Sequence, residues 1–88
     1  MIRRLPREYT VTGTVLPADL DDDGKVTSIG IESLDGEDYL IFMDRIGEEM
    51  MSLLDHKVEA TGTVKDVYGD LIFTVSRYQV LEEMANRA

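Results

Sequence analysis

The feature that most constrains the fold is a short phrase that occurs twice, as VTGTV at residues 11–15 and as ATGTV at residues 60–64. In each copy apolar residues alternate with threonine, which is typical of a β-strand with one buried face. A glycine interrupts both strands at the same place, at Gly13 and at Gly62. Because glycine weakens a strand unless the backbone bends or bulges there, the phrases predict two bent strands in a sheet that curls towards closure.

The rest of the chain supplies three more strands and one short helix. The five predicted strands cover residues 9–16, 26–32, 39–43, 57–67 and 71–81. Asp44 is the expected N-cap of a helix between the third and fourth strands, and the apolar residues that follow it at helical spacing are Ile46, Met50, Leu53 and Leu54. The pattern therefore predicts an all-β domain with one short helix.

This order of elements resembles the OB-fold, a five-stranded Greek-key barrel with its helix between strands three and four. The similarity is to small bacterial OB-fold domains of unknown function, in which a glycine-led helix with two leucines runs into a strand of the form V-x-V-x-G-x-V. The matching residues are Gly47, Leu53, Leu54, Val58, Ala60, Gly62 and Val64. The resemblance implies a barrel over residues 9–81, between a basic arm at 1–8 and a polar tail at 82–88.

Composition narrows the functions that such a barrel can have. Eighty-eight residues predict one domain with a modest core and no deep catalytic cavity. There is no cysteine, and the single histidine, His56, has no evident catalytic partner, so we expect a binding protein without a cofactor rather than an enzyme. The sequence has no apolar stretch long enough to predict a secretory signal or a membrane span, so the expected location is cytoplasmic.

The outer face of strands one to three is the predicted ligand or partner surface. Strand three is apolar on both faces, so it must be covered twice or present one face to a partner. The residues expected on this surface are Thr12, Thr14, Ser28, Glu32, Tyr39, Ile41 and Met43. An exposed apolar set at the last three positions favours a protein partner or a homodimer, whereas the alternative is cover by the N-terminal arm or by strand five.

Single-stranded nucleic acid or an oligosaccharide on the same face is an alternative that the fold leaves open. Stacking of bases needs aromatic side chains interleaved with lysine or arginine, and only Tyr39 and Tyr78 are candidates. Eighteen acidic residues against nine basic ones give a formal net charge of -9. Because this charge repels phosphate, we expect nucleic acid to be an unlikely partner.

An aspartate-rich stretch predicts a second and weaker site. Asp19, Asp21 and Asp23 precede Gly24 at the spacing that begins a calcium-binding loop, where alternate oxygen ligands surround the cation. The twelfth position of that loop is Gly30 instead of glutamate, and a strand follows instead of a helix. Any calcium site is therefore expected to be weak, and the alternative is a solvated acidic hairpin loop.

Overall fold

A computed structural model describes residues 7–81, in which five strands form a closed barrel. The strands are β1 (Glu8–Leu20), β2 (Val26–Ser33), β3 (Asp38–Ile41), β4 (Lys57–Val67) and β5 (Asp70–Val80). Their order around the barrel is β1-β2-β3-β5-β4, and β4 pairs back onto β1. The β3–β5 pair is parallel and the other four pairs are antiparallel. The predicted five-stranded barrel is confirmed, while the polar tail and most of the basic arm lie outside the described residues.

One short helix, α1 (Arg45–Met50), lies between β3 and β4 as predicted and continues into a 3-10 turn at Met51–Leu53. Asp44 is its N-cap, because the Gly47 backbone amide donates to the Asp44 carboxylate at 3.0 Å. Met50 is completely buried and belongs to the barrel core, so the helix covers one end of the barrel. No helix within residues 7–81 has the length and apolar character that crossing a membrane requires.

The core consists of inward side chains from all five strands together with Met50. Its buried hydrophobic members are Val11, Val15, Ile29, Ile31, Ile41, Met50, Val58, Ala60, Phe73 and Val75. Tyr39 packs against this cluster, with its ring centroid 5.7 Å from that of Phe73. The alternation in the first copy of the repeated phrase predicts that Val11 and Val15 face inward, and both side chains are buried in the core.

The two glycines of the repeated phrase both let a neighbouring strand approach closely. β1 pairs with β4 in its first half and with β2 in its second half, and Gly13 lies where the two ladders overlap. A Cβ on Gly13 would collide with the Glu32 carbonyl oxygen, and one on Gly62 would collide with the Thr74 carbonyl oxygen. The ladder between β4 and β5 also shifts register next to Gly62. Both glycines therefore serve the curvature of the barrel.

β1 is longer than predicted. The sequence predicts that it ends at Leu16 and that a loop follows to Lys25, but the strand continues to Leu20. The β1–β2 ladder is irregular between Pro17 and Asp19, and such a bulge accommodates a proline that has no N–H to donate. The acidic segment is therefore the tip of a long hairpin rather than a wide loop.

The orientation predicted for strand three is wrong. Ile41 is only 3% exposed and belongs to the core, and Tyr39 and Met43 are half-buried and pack against it. The outward residues are Leu40, at 37% exposure, and Phe42, at 51%. The cause is the register with β2: Tyr39 lies opposite the buried Ile31, and paired residues share a face of the sheet.

Candidate binding groove

A groove of about 600 Å³ lies on the outer face of β1, β2 and β3, and we call it the outer groove. The β2–β3 turn borders it on one side and the β4–β5 turn on the other. The parallel β3–β5 ladder consists of Leu40 opposite Ile72 and Ile41 opposite Phe73. The residues before this ladder, at 38–39 and 70–71, line the groove from both sides, so it opens where β3 and β5 separate.

The floor of the outer groove is apolar. Leu16 lies opposite Gly30, and Gly30 lies opposite Leu40, so one row crosses three strands. Because Gly30 has no side chain, the floor is lowest between the two leucines. Leu71, at the start of β5, is half-buried and borders the groove from the other wall. The result is a concave surface that can take an aliphatic chain out of water.

The rim of the outer groove is acidic. It carries four exposed carboxylates, at Glu32, Glu37, Asp38 and Asp70, and no lysine or arginine of residues 7–81 lines the groove. Glu32 and Asp38 lie directly opposite each other in the β2–β3 ladder. Two like charges in that position repel each other, so this pair disfavours the fold that holds it.

The residues predicted from the sequence are distributed over several places. Glu32 and Tyr39 line the outer groove, and Thr14 lies opposite Glu32 on β1. Ser28 is half-buried, and its hydroxyl donates to the Asp19 carboxylate at 3.0 Å. The structure thus brings only part of the predicted surface together. Ile41 and Met43 lie inward, and Thr12 belongs to a second cavity.

That second cavity, of about 310 Å³, lies between the start of β1 and the β2–β3 turn. The Ser33 hydroxyl and the Glu37 backbone amide both donate to the Asp35 carboxylate. These hydrogen bonds, led by that of Ser33, hold the pKa of Asp35 below its ordinary value. Burial, followed by the negative charges of Asp35 and Glu37, raises the pKa of Tyr39. A tightly hydrogen-bonded turn therefore separates the second cavity from the outer groove.

Two of the three aspartates predicted as calcium ligands accept hydrogen bonds from separate partners. Asp21 accepts hydrogen bonds at 2.9 Å from the backbone amides of Asp23 and Lys25, which closes the hairpin tip. Asp19 accepts the Ser28 hydroxyl on a different part of β1. Within residues 7–81 no group of three or more histidine, cysteine, aspartate or glutamate side chains is arranged to hold a metal ion. The hydrogen bonds of Asp21 are those of a closed turn, in which an aspartate side chain accepts nearby backbone amides.

Sequence reasoning missed most of the groove. Its floor residues Leu16 and Leu40 and its rim residues Asp38 and Asp70 were not among the expected surface residues. The sequence does indicate that Glu32 and Asp38 lie close together, because they flank a predicted turn at a spacing that a short hairpin brings together. His56, at the junction of the 3-10 turn and β4, is not part of the groove lining.

The chain matches no protein-family model, no curated protein and no solved structure. The residues of the outer groove are therefore the basis for an inference about function.

Proposed function

We propose that this chain is a non-enzymatic binding module of the OB-fold family that takes a segment of a protein partner in its outer groove. The strand order, the position of the helix and the glycine-containing phrase support the family assignment. The observation that carries the function is the apolar floor, where Leu40 is exposed inside a concave surface. Exposed aliphatic side chains in a groove gain stability when a partner removes them from water.

A protein partner fits the groove better than nucleic acid does. The only aromatic residue in the lining is Tyr39, and its ring packs inward against Phe73 instead of offering a face for stacking. The four rim carboxylates repel phosphate. The groove does lie on the face that OB-fold barrels use for oligonucleotides and oligosaccharides, so a ligand of that kind is the second candidate.

One further observation favours binding over catalysis, and another favours a different protein as the partner over a second copy of this chain. The groove lining contains no serine, histidine or lysine, and the chain contains no cysteine, so a serine or cysteine nucleophile paired with a histidine base is not present there. The net charge of -9 makes two copies repel, and their acidic rims would face each other in a groove-to-groove dimer. A homodimer through the outward side of β3 remains the alternative form of the same proposal.

The test compares two exposed leucines that differ in their relation to the groove. Leu40 lies in it, whereas Leu34, at 70% exposure, lies in the β2–β3 turn outside it. Peptides selected from a random display library on the wild-type protein are measured against Leu40→Gln and Leu34→Gln. We expect Leu40→Gln to weaken binding by about tenfold, a loss of the size that truncating a buried contact residue produces, and Leu34→Gln to leave it unchanged.

Equal binding to both variants would show that the peptides use another surface. Selection that yields no peptide, together with binding of oligothymidylate or an oligosaccharide, would favour the second candidate. Sedimentation velocity on the same proteins tests the homodimer, which requires a concentration-dependent dimer that Leu40→Gln disrupts.

A further inference from the structure

Among residues 7–81, the lining of the outer groove carries four carboxylates and no lysine or arginine. None of its four carboxylates takes part in the Arg77–Glu8 ion pair, the one described within residues 7–81, whose atoms are 3.6 Å apart. Glu32 and Asp38 are opposed across the β2–β3 ladder, and Asp70 and Glu37 face the same groove from its two bordering turns. A cation in the groove would therefore meet carboxylates from three separate segments of the chain.

The opposed pair indicates what a ligand would supply. Direct opposition of Glu32 and Asp38 lowers the stability of the fold, because the two negative charges repel each other. A cationic group between them replaces this repulsion with two attractive contacts. The free energy of binding a cation would thus include relief of an unfavourable interaction that already exists in the unbound fold.

The floor adds a second requirement that a simple inorganic cation does not meet. Leu16 and Leu40 offer aliphatic surface directly beside the carboxylates. Lysine and arginine combine a long apolar stem with a charged head, so their stems can lie on leucine while the head reaches an acidic rim. An extended backbone suits a groove that runs between β3 and β5 where they separate.

We propose that the occupant of the outer groove is an extended protein segment that carries lysine or arginine next to aliphatic residues. This inference rests on the proposed function and names the chemistry of its partner. The basic side chains lie along the leucine floor and end at Glu32, Asp38 and Asp70. Charge complementarity selects such a segment over an acidic peptide and over nucleic acid.

The experiment uses three short capped peptides as probes: acetyl-KLKLK-amide, acetyl-ELELE-amide and acetyl-KSKSK-amide. Each is titrated into the isotope-labelled full chain while backbone amide shifts are followed. We expect KLKLK to move the amides of Gly30, Leu40 and Asp70, with an affinity that falls as salt is raised because surface charges are screened. ELELE tests the charge, and KSKSK tests the aliphatic contacts. We expect both to bind at least about tenfold more weakly than KLKLK, the factor that corresponds to losing one favourable set of contacts.

Two triple variants with the same change in net charge separate the groove from general attraction. The groove variant is Glu32→Gln, Asp38→Asn, Asp70→Asn, and the control is Asp22→Asn, Glu48→Gln, Glu59→Gln, at exposed positions outside the lining. We expect the groove variant to lose KLKLK binding by about tenfold or more and the control by less than about twofold, since distant surface charges are largely screened. Dispersed amide spectra of both variants verify that they fold.

Equal losses in the two variants, or equal affinity for ELELE, would overturn the inference. If ELELE, oligothymidylate or an oligosaccharide moves the groove amides while KLKLK does not, the groove binds ligands but the basic partner is wrong. If no probe moves the groove amides, both the basic partner and the proposed function fail.

Discussion

The two hairpins that contain the repeated phrase use the same bend but end differently. The β1–β2 hairpin ends in an acidic tip, where the Asp21 carboxylate accepts two backbone amides. The β4–β5 hairpin ends in a two-residue turn, Tyr68 and Gly69, in which both residues have positive φ, 52° and 92°. The comparison shows that the phrase sets the curvature of the barrel, whereas the parts that do not match determine which residues border the outer groove.

The hairpins also contribute unequal parts to the outer groove. β1–β2 lines it with residues 16–18 of β1 and residues 30–32 of β2, and its acidic tip is not part of the lining. β4–β5 lines it with the end of its turn and the start of β5, at residues 69–71. The more conspicuous sequence feature, the aspartate-rich tip, is therefore the one that lies outside the proposed site.

The largest expected effect comes from breaking the shared bend. Gly62→Ala and Gly13→Ala each add a Cβ that collides with a backbone carbonyl oxygen. We expect each to lower the free energy of unfolding by about 2–3 kcal/mol, as overpacking of a rigid site does. Urea unfolding measures the change, with the exposed Thr63→Ala on β4 as the control. If Gly62→Ala is as stable as Thr63→Ala, the close approach of β5 does not require glycine.

The next effect separates the two tips. Gly69 and Gly24 have φ of 92° and 83°, so alanine is strained at both positions. We expect Gly69→Ala and Gly24→Ala each to cost about 1 kcal/mol. Tyr68→Asn should instead add about 0.5 kcal/mol, because asparagine tolerates the left-handed conformation that this turn requires. Thermal unfolding of the three variants measures these changes, and a destabilised Tyr68→Asn would contradict the assigned turn.

A smaller effect of opposite sign tests the rim of the groove. Asp38→Asn removes one of two opposed carboxylates, so we expect the free energy of unfolding to rise by about 0.2–1 kcal/mol. The same variant should bind KLKLK more weakly. The matched change Asp22→Asn, in the acidic tip, should alter neither quantity by a comparable amount. Loss of stability in Asp38→Asn would mean that the opposed pair does not repel.

The smallest effect is a dependence on pH at the β2–β3 turn. Hydrogen bonds from Ser33 and Glu37 lower the pKa of Asp35 in the folded protein. This contribution to stability is therefore present above the ordinary pKa of aspartate and is lost as the pH falls through the lowered, folded value. Urea midpoints of wild type and Asp35→Asn should differ near neutral pH and converge in acid. A difference that stays constant with pH would contradict this contribution.

The bends could be predicted from the sequence, but the outward side of β3 could not. Gly13 and Gly62 interrupt clear alternation, so each glycine has a local signal. β3 is apolar at successive positions and contains no such signal, and its orientation follows from the pairing of Tyr39 with Ile31. The end of β1 likewise differs from the predicted Leu16, because a bulge next to Pro17 lets the strand continue to Leu20.

The groove could not be predicted for a related reason. Its floor and rim combine residues that are distant in the sequence, such as Leu16, Leu40 and Asp70. They meet because β3 and β5 lie apart at their first residues, before they pair in a short parallel ladder. Local sequence patterns contain no information on where such a ladder begins or ends. In the structure, the exposed side chain of Leu40 marks the groove that results.

The most direct test of the groove uses the leucine methyl groups of the chain in a single experiment. Leu16 and Leu40 lie on the floor of the outer groove, whereas Leu20 is exposed at the end of the β1–β2 hairpin and Leu34 is exposed in the β2–β3 turn. Intermolecular nuclear Overhauser effects are measured between these methyl groups and bound acetyl-KLKLK-amide. We predict contacts from the Leu16 and Leu40 methyls. Contacts confined to the Leu20 and Leu34 methyls would contradict the outer groove as the binding site.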